Sequence, residues 1–464
     1  MFERRLTRRE TLRLGLGAMG LSLPSVLGLQ HAAKAAGKAR HIAADGFGRA
    51  KSCIILFAWG GMSHIDTFDP KPDAPKEYRG IFDPIATSVP GIRFGQHLPH
   101  LARQAHRLAV VRSACHRSSA HGKGMYWNLT GHPAQQPDVA ANNEATGQDW
   151  PCLGSVVSKV RPVPTGVPGC AMLPYQMWDN MTRQGGHDAG WLGRTYDPII
   201  LKPLHHGKIY KGISRDSGIA SLQLPEGIDP ARYDARRSLL HSLESSADST
   251  GHNFERFRGL ANELLLSPKI QNALNLSAED PKLRDRYGDH LGGQCVLLAR
   301  RLVEVGVPVV TVCMAAGDLN GASGDMWDTH GNNFNRLKND LLPPYDRAFS
   351  ALLDDLADRQ MLDETLIVSL TDFGRTPHIN GGAGRDHYPN CFSVIYAGGG
   401  IKGGQVYGKS DRIGSAPLEL GCGPADLHAT IFHALGIDPA SHIQDPLGRP
   451  VSITDGGRVL PLFG

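Results

Sequence analysis

The sequence predicts an α/β protein: a doubly wound, mostly parallel sheet with helices on both faces and a large loop-rich insertion. Three observations predict it. First, several short runs are apolar throughout rather than alternating, as in strands covered on both sides. They are CIILFAW from Cys53, RLAVVRS from Arg107, VPVVTVCMA from Val307, TLIVSLT from Thr365 and CFSVIYAGG from Cys391. Second, helical patterns separate some of these runs, so that strand, helix and strand recur, most clearly from 307 to 371. Third, the stretch from about 132 to 285 is rich in Pro, Gly, His and Arg, with fewer clear strands. It reads as an insertion or cap over the functional edge of the sheet.

The helices follow from periodicity. HLGGQCVLLARRLVEVG carries apolar residues at helical spacing and stops at Gly306. FNRLKNDLLPPYDRAFSALLDDLADRQ puts Leu337, Leu341, Tyr345, Phe349, Leu352, Leu353 and Leu356 on one face. Within it, Pro343-Pro344 either kinks the helix or starts a second one. PADLHATIFHALG is a shorter helix near the end. The run Gly398-Gly399-Gly400 gives a loop the freedom to turn tightly.

Composition bounds the function. With 464 residues, 41% hydrophobic and 20% charged, the chain can bury a sizeable core. A net charge of +4, with no basic patch interleaved with aromatics, argues against a nucleic-acid partner. The N-terminus reads RRLTRRETLRLGLGAMGLSLPSVLGL, with Arg8-Arg9 before an apolar, Gly-rich run and a small-x-small signal at Ala33-Lys34-Ala35. This predicts a twin-arginine signal peptide over 1–36, export to the periplasm or cell envelope, and one mature domain over 37–464. An uncleaved anchor is the alternative, but the run is broken by glycines and weak as a permanent span. No other run is apolar enough to cross a membrane, so no stable span is expected after cleavage. Of the eight Cys, none forms a C-x-x-C pair. Cys53, Cys313 and Cys391 sit in or beside apolar runs, as buried small hydrophobes do. Export permits a disulfide, and Cys152 with Cys170 is a candidate pair that spacing does not settle.

In an open α/β sheet, ligands bind beyond the carboxyl ends of the strands. GGMSHIDTFDPKP after the first run carries His64, Asp66 and Asp69. ACHRSSAHGKGMYWNLTGHP after the second carries His116, Ser118, Ser119 and His121. AGDLNGASGDMWDTHGNN after the third carries Asp318, Asp325, Asp328 and His330. DFGRTP after the fourth carries Asp372 and Arg375, and GRDHYP before the fifth carries Arg385, Asp386 and His387. Each alone reads as a turn former or a cap; Asp328 could simply start a turn and Asn333 cap a helix. Together, so many carboxylates and imidazoles on one edge are costly unless a divalent cation pairs them. Imidazole with carboxylate suits zinc, manganese or iron; carboxylate and amide alone suit calcium. In an extended segment, residues two apart share a face, so Asp328 and His330 could grip one ion from one side.

The order of motifs GGMSHID, WNLTGHP, SLTDFGR, PADLHATIFHALGID and DPLGRPVSI resembles the alkaline phosphatase and sulfatase superfamily. More closely, GG-x-SH-x-DTFDPKP, WDTHGNN, FGRTP and GRDH-x-P resemble domain-of-unknown-function family 1501, an exported bacterial family within or beside that superfamily. The superfamily resemblance implies an alkaline-phosphatase-like fold and a metal-dependent site. It breaks at two places. The position where sulfatases carry a maturing Cys is His121, and Cys115 lacks the maturation motif, so formylglycine chemistry is not implied. The late Asp-His-Gly is Asp372-Phe373-Gly374, so one metal-binding His is Phe, with Arg375 added.

The expected function is a metal-dependent hydrolase of a phosphate or sulfate ester, which polysaccharide chains could supply. Asp66, Asp328, His330, Asp372 and His387 are the expected ligands of a zinc, manganese or calcium ion. His121, Ser119 or Ser118 would be nucleophile or base, or His121 a further ligand. Arg375 and Arg385 would neutralise developing charge. The alternative is a non-catalytic, metal-stabilised protein of the cell envelope. A redox enzyme has no haem, dinucleotide or Cys-cluster motif to support it.

Overall fold

A computed structural model of the chain describes residues 45–134, 144–179, 182–201, 227–244, 267–314 and 326–464. The twin-arginine segment, Asp318 and Asp325 lie outside the described residues. Eight strands form one sheet: β1 (Ser52–Ala58), β2 (Leu108–Ala114), β3 (Ala171–Leu173), β4 (Ile199–Ile200), β5 (Val309–Cys313), β6 (Thr365–Thr371), β7 (Phe392–Ala397) and β8 (Gln405–Tyr407). Their order across the sheet is β8-β2-β7-β6-β1-β5-β3-β4. Every neighbouring pair is parallel except those of β7, which runs against β2 and β6. β1 lies between β6 and β5, with Ser52 opposite Thr365 and Phe57 opposite Cys313. All its residues are buried, which is why its sequence is a continuous apolar run.

Both faces are covered, as expected from such strands. The helices are α1 (His121–Thr130), α2 (Leu153–Val160), α3 (Leu291–Glu304), α4 (Leu342–Asp358) and α5 (Pro424–Ala434). Ile54, Leu56, Val310 and Val312 share a core with α3 and α4. Ile55, Phe57, Val309 and Cys313 share the opposite core with α1, α2 and α5. Among the described residues no helix is long and apolar enough to cross a membrane.

The proline pair resolves as a helix start. Leu337–Leu341 form one π turn, in which the Leu342 N–H reaches back to the Leu337 carbonyl. The widened turn admits Pro343 and Pro344 at the start of α4, where their missing N–H groups cost least. At the far end of β7, Gly398, Gly399 and Gly400 all take positive φ. A side chain at Gly398 would stand 2.3 Å from the Thr365 carbonyl oxygen, so the turn depends on glycine there. The stretch read as an insertion contributes β3 and β4 to one edge of the sheet and a hairpin, Trp178–Asp179 with Thr182–Arg183, that packs on α1.

One buried carboxyl makes the fold pH-sensitive. Asp346 on α4 accepts the His100 and Leu101 N–H groups at 2.9 and 2.8 Å. Burial nevertheless pushes its pKa up to about 6. A folded value above the unfolded one means that protonation favours the fold. The contribution is complete at low pH and is lost as pH rises from about 4 through 6, by about 2–3 kcal/mol. Urea midpoints of the wild type and Asp346→Asn should therefore diverge with that sign between pH 4 and 7; parallel curves would refute it.

Candidate metal centre

Loops at the carboxyl ends of the parallel strands build the site. After β1, Gly60 takes a φ of 112°. A Cβ there would stand 2.6 Å from the Asp328 nitrogen, so only glycine permits this approach. The Gly60 N–H then reaches Asp372 Oδ1, just beyond β6, at 3.1 Å. The Trp327 N–H donates to the Trp59 carbonyl at 2.9 Å, which lays WDTHGNN alongside that loop. Asn332 takes a left-handed φ of 52° and turns the chain into the helix behind, as expected of Asn. His387 lies on a two-residue strand paired with Gly374–Arg375, ahead of β7.

His121, Asp328 and His387 meet: one ligand atom of each lies within 4.8 Å of the others. Asp328 Oδ1 is 3.2 Å from His387 Nε2, and Asp328 Oδ2 is 3.4 Å from His121 Nε2. His330 joins at the exposed rim, its Nε2 2.9 Å from His387 Nε2 and 3.2 Å from Asp328 Oδ1. Asp328 and His330 thus do share a face.

In all three rings Nδ1 faces an acceptor. For His121 it is Asp372 Oδ2. For His387 it is the Ser119 carbonyl at 2.7 Å, and for His330 it is Asp386 Oδ1 at 2.7 Å. Each Nδ1 therefore carries hydrogen, and in the neutral ring the lone pair is left on Nε2. Three Nε2 atoms converge on one carboxylate, and an oxygen acceptor holds the other nitrogen of each ring, as carboxylates and carbonyls do behind metal-bound histidines. His121 Nε2 is buried, and the nearest partner it has is Asp328 Oδ2 at the long distance of 3.4 Å, a separation that an ion between them would bridge. These donors fit a divalent cation.

The electrostatics agree. Burial disfavours charge on Asp328, yet the His121 and His387 rings and the Arg375 guanidinium hold its carboxyl well below the usual range. Burial likewise opposes charge on His121, but Asp372 and Asp328 outweigh it and lift the ring to about 9. Without an ion that ring takes a second proton, the one an ion would displace. His387 is pushed down by burial, against the pull of Asp328, and so stays neutral.

The other expected residues fall in different places. Asp372 is fully buried one step back, orienting His121 rather than joining the ligand group. Asp66 and Arg385, expected as ligand and as substrate-facing cation, instead meet each other, both fully buried. Arg385 Nε reaches Asp66 Oδ2 at 2.8 Å and Nη2 reaches Oδ1 at 3.2 Å. Ser63 Oγ and Asn333 Nδ2 complete the shell of Asp66 at 2.6 and 3.0 Å. The remaining Arg385 donors go to the Tyr78, Thr376 and Pro377 carbonyls, leaving none for an anion. Arg375 is buried and donates 2.5 Å to Asp328 Oδ1, with its other bonds to the Gly60, Gly61 and Arg385 carbonyls. It neutralises Asp328. Ser119 is exposed, and the group it brings to the cluster is its carbonyl.

Sequence reasoning gave no role to Asp386, although GRDHYP sets it beside His387. It named His116 without a role and missed Asn128; the two hold the Asp372 carbonyl at 2.5 and 3.1 Å. Asp179 had no signal at all. It stands half-buried on the hairpin against α1, where burial raises its carboxyl and the charges of His121, Asp372, Asp328 and His387 all act on it.

Comparison with curated proteins gives no match. Among solved structures, a putative sulfatase from Bacteroides thetaiotaomicron is similar at 11% identity and a TM-score of 0.40, over 89% of this chain and 74% of that one. A lipoteichoic acid synthase from Listeria monocytogenes is similar at 10% and 0.36, over 88% and 76%. A phosphonate monoester hydrolase from Silicibacter pomeroyi is similar at 14% and 0.35, over 89% and 76%. The motifs from GGMSHID to the C-terminus fall within a single match over residues 50–462, and by that match the chain belongs to the family described as protein of unknown function (DUF1501).

Proposed function

We propose that the chain is a metal-dependent hydrolase of an anionic ester, phosphate or sulfate, working outside the cytoplasm after export by its Arg8-Arg9 segment. The observation that carries this is the convergence of His121, His330 and His387 Nε2 on Asp328, with each Nδ1 held by an oxygen acceptor. His121, Asp328 and His387 would hold the ion, with His330 at the rim. A divalent ion there supplies Lewis acidity, polarising the ester and making water more acidic. Asp372 fixes the tautomer and orientation of His121, and Asp386 does the same for His330. Arg375 keeps Asp328 ionised and locked to the Gly60 turn. The Trp178–Arg183 hairpin brings Asp179 towards the same cluster from the side of α1.

The donors of Arg385 are spent inside the fold, and Arg375 is committed to Asp328 and to main-chain carbonyls. That favours one second reading: a metal-stabilised envelope protein that binds a glycan without cleaving it. The deciding experiment is elemental analysis of the purified protein, followed by assays of nitrophenyl phosphate, phosphodiester and sulfate substrates with and without chelator. One zinc or manganese per chain with chelator-sensitive turnover supports the hydrolase. Bound metal with no turnover of any ester moves the binding reading ahead. No metal in folded protein refutes both.

A further inference from the structure

Cys152 and Cys170 are eighteen positions apart in the sequence but adjacent in the fold. Cys152 is the N-cap residue of α2, and Cys170 immediately precedes β3. Both are buried, at 7% and 2% exposure. The Tyr196 carbonyl links them, to Cys170 directly and to Cys152 through Ser155. Cys152 Sγ lies 3.2 Å from Ser155 Oγ, which donates to the Tyr196 carbonyl at 2.7 Å. Cys170 Sγ reaches that same carbonyl at 3.8 Å. α2 presses directly on Cys170: a Cβ at Gly154 would stand 2.7 Å from Cys170 Cβ and 3.1 Å from its Sγ. The gap lined by Cys152, Gly154, Cys170 and Val309 measures about 10 Å³, at the lower limit for a single water and too small for a hydrated ion.

We propose that Cys152 and Cys170 form a disulfide when the protein meets a thiol–disulfide donor, such as glutathione disulfide or a disulfide oxidoreductase. The bridge would tie the start of α2 to the start of β3 and so anchor the stem of the 132–285 segment to the sheet.

Chemically, the Cys152 thiolate attacks one sulfur of the donor disulfide and releases the first donor thiolate. The Cys170 thiolate then attacks the Cys152 sulfur of the mixed disulfide and releases the second. Two protons pass from the cysteines to the departing thiolates. The protein loses two electrons, and the donor gains them. Cys152 is the better attacking group, because its place at the N-terminus of α2 favours the thiolate. The sulfurs are covered in the folded chain, so exchange takes place during folding or local opening.

The test is a thiol count by intact mass. The full chain is equilibrated with glutathione disulfide, denatured, alkylated and weighed, then digested for peptide mapping. The expected result is two fewer alkylations than in the dithiothreitol-treated protein, and a linked pair of peptides containing Cys152 and Cys170. The melting temperature should drop by several degrees on adding dithiothreitol to the wild type. It should not move in the Cys152→Ser/Cys170→Ser variant. Full alkylation after oxidant treatment, a glutathione adduct without a link, or a link between other cysteines would overturn the proposal. The wild-type mass decides the matter even if the double variant does not fold.

Discussion

Asp328→Ala should abolish stoichiometric metal binding, weakening affinity by about 100-fold or more, and ester turnover should vanish with it. Among the described residues Asp328 is the one carboxylate of the candidate ligand group, and three imidazole nitrogens face it. Removing it also leaves the buried Arg375 guanidinium with only carbonyl partners, so part of any loss could come from unfolding. Two further variants separate the effects. Asp328→Asn keeps the shape and a hydrogen-bond acceptor for Arg375 while removing the charge. Asp372→Asn leaves the ligand group intact but disturbs the tautomer of His121, and should cost about 10- to 100-fold in metal affinity. Chelator competition read by elemental analysis, with circular dichroism as the folding control, gives all three numbers. Full retention of metal by folded Asp328→Ala would remove it from the ligand set.

The largest stability loss is expected at Arg385→Met. The substitution leaves Asp66 fully buried with only Ser63 and Asn333 as partners, at a cost of about 3–5 kcal/mol. The double variant Asp66→Leu/Arg385→Met removes both charges and should recover much of that loss. Urea unfolding of the single and double variants measures the coupling. The molecules that remain folded should still bind metal, because the pair lies outside the ligand group. Equal midpoints for wild type and Arg385→Met would show that Asp66 is satisfied without the guanidinium.

These two residues also show where reading the sequence succeeds and where it stops. The strands were legible because a doubly covered sheet demands unbroken apolar runs, and CIILFAW and TLIVSLT are such runs. Asp328, His330 and His387 were legible as candidates because they crowd beside strand ends. What sequence could not resolve was which charged groups face one another. Asp66 and Arg385 have the same local signature as Asp328 and Arg375, a carboxylate or guanidinium in a turn near a strand end. Yet one carboxylate is sealed by a bidentate guanidinium and the other is ringed by imidazoles. That difference depends on side-chain packing across loops far apart in the chain. Asp179 was invisible for another reason: its segment carries no periodicity, and only its docking on α1 gives it meaning.

The reversed direction of β7 has a consequence for how this site can vary. A parallel strand after β6 would require a crossover that spans the sheet, with a length set by the helix it must contain. Because β7 runs the other way, the chain leaves β6 and re-enters the sheet at the same end, and everything from Asp372 to Cys391 is rim. Nothing in the sheet fixes the length of that excursion. What fixes it is the neighbouring loop: Asn380 Nδ2 donates to the His330 carbonyl at 2.9 Å and to Asp386 Oδ1 at 3.0 Å, and the Gly382 and Ala383 carbonyls accept the Asn332 and Asn333 N–H groups at 3.0 Å. An insertion or deletion there would shift His330 and Asp386 together, so this excursion can change in sequence far more freely than in length.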